Sequence, residues 1–164
     1  MQVLTLCTGN AARSVMAGAM LRSFGVDVVT AGTHVVDGQP MSRRTRDALD
    51  SLGLGSNQHR SRQVTPEAVR SAGLVLAMAG EHVAYVRRVF PEAAPKTTSI
   101  KRLVRDLPAG PGPLGDRIDA LGLAGVPIEP WEDVEDPAGG DDELYVACAK
   151  ELAHLCAELV PRLR

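Results

Sequence analysis

Gln2-Val3-Leu4-Thr5-Leu6-Cys7-Thr8-Gly9-Asn10-Ala11-Ala12-Arg13-Ser14 decides how the rest of the chain is read. Gln2 to Cys7 is a brief apolar run with β-branched members, as expected of a strand buried on both faces, and it stops at the turn signal Thr8-Gly9-Asn10. From Ala12 to Ser23 the pattern turns helical, with Val15, Met16, Met20 and Leu21 along one stripe. A tight loop between buried strand and helix points successive backbone N–H groups into one hollow. The helix N-terminus adds partial positive charge there. Such a cradle suits a tetrahedral oxyanion.

The side chains fit that reading. Cys7 sits at the floor of the hollow, where amide dipoles and the Arg13 guanidinium favour thiolate, the nucleophilic form. Arg13 lies six residues on, where its planar fork can hold two equatorial oxygens of a phosphate and match the charge that develops in transfer. Ser14 is placed to hydrogen-bond the Cys7 sulfur, Asn10 to prop the loop from inside, and Gly9 to adopt backbone angles closed to other residues. Thr8 through Ser14 are therefore the expected phosphate-binding segment. A buried structural thiol with a surface arginine and a capping serine is the alternative for Cys7, Arg13 and Ser14. The complete string at a strand end makes it the weaker one.

Further along, strands and helices alternate. Val26–Thr30, closed by Gly32, is the second strand; Ser42–Leu54 is a helix capped by its serine and stopped by Gly53 and Gly55. Thr65–Ser71 is a short helix with Thr65 as cap and Pro66 in first position. Leu74–Met78 is the third strand, Glu81–Phe90 a helix, and Lys96–Ile100 a candidate fourth strand. Asp106–Glu129 is rich in Pro and Gly and reads as a surface excursion with one helical turn near Asp116–Leu123. Leu144, Cys148, Leu152, Leu155 and Leu159 mark a final helix. The alternation implies a parallel sheet with helices on both faces, and 164 residues without a visible boundary or repeat imply one domain over 1–164.

Composition narrows the function. A net charge of −2 supplies no basic field for nucleic acid. No apolar run is long enough to cross a membrane, and the N-terminus lacks the features of a signal peptide, so a cytoplasmic location is expected. Three cysteines, Cys7, Cys148 and Cys156, suggest a reducing compartment rather than a disulfide scaffold. His34, His59, His82 and His154 have no metal-ligand spacing, so neither metal nor cofactor is expected. Only five residues are aromatic.

The Cys7-to-Ser14 string resembles the signature of the low-molecular-weight protein tyrosine phosphatases: a cysteine, five residues, then Arg-Ser, close to the N-terminus. Thr30-Ala31-Gly32-Thr33 is similar to the family's Ser-Ala-Gly-Thr, His59-Arg60-Ser61-Arg62-Gln63 to its His-x-Ala/Ser-Arg segment, and Asp136-Pro137 to its acid-bearing loop. The resemblance implies an α/β three-layer sandwich with a four-stranded parallel sheet flanked by helices, the phosphotyrosine phosphatase I-like fold. It implies hydrolysis of phosphotyrosine, or a related phosphomonoester, through a phosphocysteine on Cys7. Asp136 would serve as general acid and then as base, and Thr30, His59, Asn10 and Ser14 would support the loop. The partner would be a phosphotyrosine protein or small phosphomonoester, the state a monomer or weak dimer. Asp133, Asp141 and Asp142 lie beside Asp136 as a run of acids, ordinarily a solvated face.

Three positions depart from the family. Ala12 stands where many members have a second cysteine. Pro137-Ala138-Gly139-Gly140 and His34-Val35-Val36 stand where aromatic residues usually wall the slot. Losing such a wall forfeits roughly 0.5–1.5 kcal/mol per ring pair. Trp131 is either a replacement wall or an anchor of the Pro-rich segment. Arsenate reduction with an external thiol and non-catalytic phosphate binding remain open. The relay cysteines of a thioredoxin-coupled reductase are missing from Leu74–Phe90, while Cys148 and Cys156 lie on the apolar stripe of the last helix.

Overall fold

The computed structural model describes residues 1–55 and 58–164. Four parallel strands, β1 (Val3–Cys7), β2 (Val28–Gly32), β3 (Leu74–Ala77) and β4 (Thr97–Ser99), form one sheet in the order β2-β1-β3-β4. β1 runs down the middle, with Cys7 level with Gly32 at its end. Among the described residues seven α-helices accompany them: α1 (Arg13–Ser23), α2 (Arg43–Ser51), α3 (Pro66–Ser71), α4 (Gly80–Val89), α5 (Ile100–Asp106), α6 (Leu114–Asp119) and α7 (Asp142–Leu159). The α/β three-layer sandwich with a four-stranded parallel sheet is thus present.

Both faces of the sheet are buried, which is why its strands read as continuous apolar runs. Alternate residues divide between two cores. Val3, Cys7, Leu74 and Leu76 face α1, α5 and α7. Leu4, Leu6 and Val75 face Val69 of α3 and Val86 of α4. α1 departs from the single expected stripe. Every residue from Arg13 to Gly18 is buried, because this helix sits between the sheet and α7.

Element ends moved for local reasons. β2 runs two residues later than its apolar pattern suggested, because Gly32 itself continues the strand and accepts from Val64 N–H. α2 stops at Ser51, where Gly53 takes a positive φ of 71°. The Pro/Gly segment is more anchored than a surface excursion. Its helix, α6, starts two residues before the expected turn, and Ile118 and Leu123 are buried in the main core.

Candidate active site

The loop from Cys7 to Arg13 is wrapped around the end of β1, and its shape is set by neighbours on all sides. The one positive φ within it belongs to Asn10, at 49°, not to Gly9 as the sequence suggested. Asn tolerates this left-handed conformation better than most residues. A side chain at Gly9 would meet nothing within 4 Å, so this glycine leaves the mouth open rather than supplying the turn. The steric demand lies in Gly32, where a Cβ would collide with the Thr8 carbonyl oxygen and the Asn10 nitrogen. Only glycine lets the loop close against the end of β2.

Asn10 is fully buried and is the hub. Its Nδ2 donates to Ser14 Oγ at 3.0 Å, and its Oδ1 accepts from the Arg62 backbone N–H at 3.0 Å. Its carbonyl accepts from His59 Nε2 at 2.7 Å and from Ser61 Oγ at 2.9 Å. Ser14 Oγ in turn lies 3.0 Å from Cys7 Sγ. Thr45 Oγ1 donates to the Ala11 carbonyl, Thr5 Oγ1 to the Ser14 carbonyl, and the Thr33 and His34 N–H groups to the carbonyls of Cys7 and Thr8. These partners hold the loop's carbonyls outward. The backbone N–H groups from Thr8 to Ala12 donate to no protein acceptor among the described residues, which leaves them for an anion.

Thr30, expected among these supports, makes none of the loop's hydrogen bonds. It is buried with its methyl against Gly18 of α1. Its place is taken by Ser61, Thr45 and Thr5. Ser61 lies inside the His59–Gln63 segment already singled out, whereas Thr45 and Thr5 carry no motif that marks them. His82 was also missed. It is buried, with Nε2 2.9 Å from Thr8 Oγ1 and Nδ1 without a partner. Burial, reinforced by the positive charge of Arg13, holds its pKa down at about 3. The ring is neutral and acts as a dipolar prop.

Arg13 is buried although it is charged. It donates to the Val134 carbonyl at 3.0 Å and to Asp136 Oδ2 at 3.2 Å. Cys7, Arg13 and Asp136 therefore meet at one mouth, and Asp136, its side chain 47% exposed, is the solvent-facing member. Its Oδ1 accepts from Ala138 N–H, which sets the carboxyl's direction.

The neighbouring acids are exposed, as a solvated face would be, yet each also has a partner. Asp133 accepts from Gly80 N–H at the start of α4, Asp141 caps α7 through Leu144 N–H, and Asp142 pairs with Arg43 and Arg44. Trp131 is an anchor and not a wall: its ring lies under Arg102 and Arg105 and its Nε1 donates to Glu129. Arg102 also binds Glu132 at 2.7 Å, and Glu132 accepts from Ser99 Oγ. This buried network ties the segment leading to Asp136 onto β4 and α5. Cys148 and Cys156 are buried free thiols whose pKa burial pushes up to about 12. Among the described residues no three or more His, Cys, Asp or Glu gather as a ligand set.

Residues 2–109 match the model of the family described as low molecular weight phosphotyrosine protein phosphatase. The chain belongs to this family. A protein-arginine-phosphatase from Geobacillus stearothermophilus is 32% identical over 166 residues, 99% of this chain and 96% of the relative. The low molecular weight protein tyrosine phosphatase from T. tengcongensis superposes with a TM-score of 0.77 at 30% identity, covering 98% of this chain and 97% of that one. A C7S mutant of the arginine phosphatase YwlE, solved with a phosphorylated active site serine, superposes with a TM-score of 0.79 at 27% identity over 99% of this chain and 95% of that one. Both substrate names therefore occur among relatives that match this phosphatase along its whole length.

Proposed function

We propose that this phosphatase removes phosphate from protein side chains through a phosphocysteine on Cys7, and that phosphoarginine is the side chain its slot favours. The observation that carries the reading is the meeting of Cys7, Arg13 and Asp136 at one mouth, beneath a loop whose amides are unclaimed. The Cys7 thiolate attacks phosphorus, forming an S–P bond as the bond to the leaving atom breaks. Arg13 turns from Asp136 to the phosphoryl oxygens and follows their charge into the transition state. Asp136, released from the guanidinium, takes up a proton from solvent and gives it to the leaving nitrogen or oxygen as the bond to phosphorus breaks. In the second step Asp136 takes a proton from water as the water attacks phosphorus. The sulfur departs as thiolate with Ser14 Oγ as its hydrogen-bond partner.

The preference for phosphoarginine rests on the walls. Pro137-Ala138-Gly139-Gly140 follows the acid, so no ring there stacks on a phenyl group. Glu81 accepts from Thr8 Oγ1 at 3.4 Å near the start of the loop, and Asp136 accepts from Arg13 at its end. Two carboxylates at an aromatic-poor mouth suit a leaving group that departs as a cationic guanidinium. Phosphotyrosine is the second reading, favoured by the family description and by the T. tengcongensis relative.

One comparison tests the proposal. With EDTA present, p-nitrophenyl phosphate should give a stoichiometric burst of p-nitrophenol followed by turnover. The kcat/KM for a phosphoarginine peptide should exceed that for the phosphotyrosine peptide of the same sequence. The reverse order replaces the substrate and keeps the mechanism. Absence of a burst together with arsenate turnover by an external thiol would favour the reductase alternative, and neither activity would favour a phosphate binder.

A further inference from the structure

A second, separate hollow lies on the other side of the loop's supports. It has a volume of about 330 Å³ and sits between α1, α2 and the outer edge of β2, with Val15, Met41 and Leu49 contributing an apolar floor. Arg22, Arg60 and Arg62 line it, together with His59. Among the described residues none of these three arginines forms a salt bridge with a carboxylate. Arg22 spends two of its N–H groups on the Val28 carbonyl, which leaves its charge uncompensated. Asp27 is the one acid felt at Arg22, and that acid accepts from the Gln2 amide.

The cations are close enough to oppose one another. After burial, Arg62 is what lowers the pKa of Arg22, and Arg22, Arg62 and Arg60 all lower that of His59. Unpaired arginines spread over a surface need no explanation, since each is well hydrated. Three that converge with a histidine on an apolar hollow, in a chain of net charge −2, form a place where one anion relieves several repulsions at once.

We propose that this hollow is a binding site for a small molecule with an apolar body and a carboxylate or phosphate group. The body fills the floor between α1 and α2, and the anionic group takes the guanidiniums of Arg60 and Arg62 with Arg22 behind them. The site adjoins the catalytic loop without sharing its cradle. His59, in its wall, donates to the Asn10 carbonyl, Asn10 holds Ser14, and Ser14 touches Cys7 Sγ.

2-Naphthoate, with 2-naphthalenemethanol as its neutral counterpart, tests the site by titration calorimetry and amide chemical shifts on the full chain. Saturating phosphate is included to occupy the catalytic loop. Saturable 1:1 binding of naphthoate is expected, with shifts centred on Val28–Thr30 and residues 58–62. The neutral probe should bind at least about tenfold more weakly, a difference of about 1.4 kcal/mol. Arg60→Gln with Arg62→Gln should weaken naphthoate by a similar factor. Both residues are exposed, and circular dichroism checks that the variant is folded. Loss of binding when phosphate is added, together with naphthoate shifts centred on residues 7–14 instead of 28–30 and 58–62, would place the probe in the catalytic loop and overturn the proposal. Equal affinity for the neutral probe, indifference to the double substitution, or no binding at millimolar probe would overturn it too.

Discussion

Arg13 donates to Asp136 at 3.2 Å across 123 residues of sequence, so the proposed phosphate clamp and the proposed acid neutralise each other. A phosphoryl group entering the loop competes with Asp136 for the guanidinium, and in doing so frees the carboxyl. In the proposed mechanism, phosphate binding is therefore what releases the carboxyl to take up the proton it delivers.

Asp136→Ala should make the rate depend on the leaving group. p-Nitrophenolate departs with little help, whereas an arginyl nitrogen or tyrosyl oxygen needs its proton supplied, a contribution of roughly 10²–10⁴-fold. Turnover of phosphoarginine and phosphotyrosine peptides should fall by that order, and that of p-nitrophenyl phosphate by much less. Equal losses on all three would move the acid role elsewhere. Asp133→Ala is not a neutral control, because Asp133 holds the start of α4. Asp142→Ala, whose carboxylate meets only exposed arginines, is the better one.

Ser14→Ala removes the one side-chain hydrogen-bond partner of Cys7 Sγ among the described residues. A hydrogen bond to a charged group contributes roughly 1.5–3 kcal/mol, or about 10- to 100-fold in rate. The loss should fall on the step that expels the thiolate, so the p-nitrophenol burst should persist while the steady state slows. A smaller burst with unchanged steady state would assign Ser14 to phosphorylation instead.

Thiol chemistry should single out Cys7. Burial pushes the Cys148 and Cys156 thiols up to about 12, and both lie in the core on α7, the helix that packs on α1. Iodoacetate at pH 7 should modify Cys7 and spare the other two, and phosphate should protect Cys7. Peptide mapping of the alkylated protein gives the answer. Labelling of Cys148 or Cys156 in the folded chain would contradict it.

His82 ties stability to pH. Its pKa is held at about 3 when folded against about 6.5 when unfolded, chiefly by burial. Between these values the unfolded state binds a proton that the folded state refuses, so stability is complete above pH 6.5 and falls as pH drops toward 3. At pH 5 the loss from this residue is ~2 kcal/mol. His82→Gln should flatten the decline in urea midpoint between pH 7 and pH 5, whatever it costs at neutral pH. An unchanged slope would mean that His82 takes up its proton in the folded state.

How much of this was legible in the sequence follows from where each signal lives. Cys7, Arg13 and Ser14 are readable because a strand end, a turn and a helix start are local, and the chemistry sits within eight residues. Buried strands and the Thr65–Pro66 cap are equally local. Asn10 does prop the loop as its sequence position suggested, but it also takes the positive φ expected of Gly9, since composition marks both as turn formers. Thr5, Thr45 and His82 support the loop from β1, α2 and α4, and nothing in their neighbours advertises partners 9, 34 and 74 residues away. Asp133, Asp141 and Asp142 look like a solvated run. Their separate duties emerge only when α2, α4 and α7 come together around them.

The Pro/Gly-rich segment yields the last prediction, because it carries Asp136 toward Arg13. Arg102, buried in α5, binds Glu132 at 2.7 Å, Glu129 at 3.0 Å and the Pro127 carbonyl at 2.9 Å, while Glu132 also accepts from Ser99. Burial alone would favour a protonated Glu132, but its hydrogen bonds from Arg102 and Ser99 outweigh that and hold its pKa below the usual range. Arg102→Leu leaves this carboxylate buried without its partner. Breaking such a pair from one side costs roughly 3–5 kcal/mol, whereas replacing both partners with apolar residues is often close to neutral. Arg102→Leu should therefore lower the urea midpoint steeply, and Arg102→Leu with Glu132→Leu should recover most of it. The two variants separate stability from positioning. If the network aims Asp136, the double variant should regain stability yet keep a deficit on phosphoarginine peptide larger than its deficit on p-nitrophenyl phosphate. Equal deficits on the two substrates would make the network a fastening for the fold with no part in placing the acid.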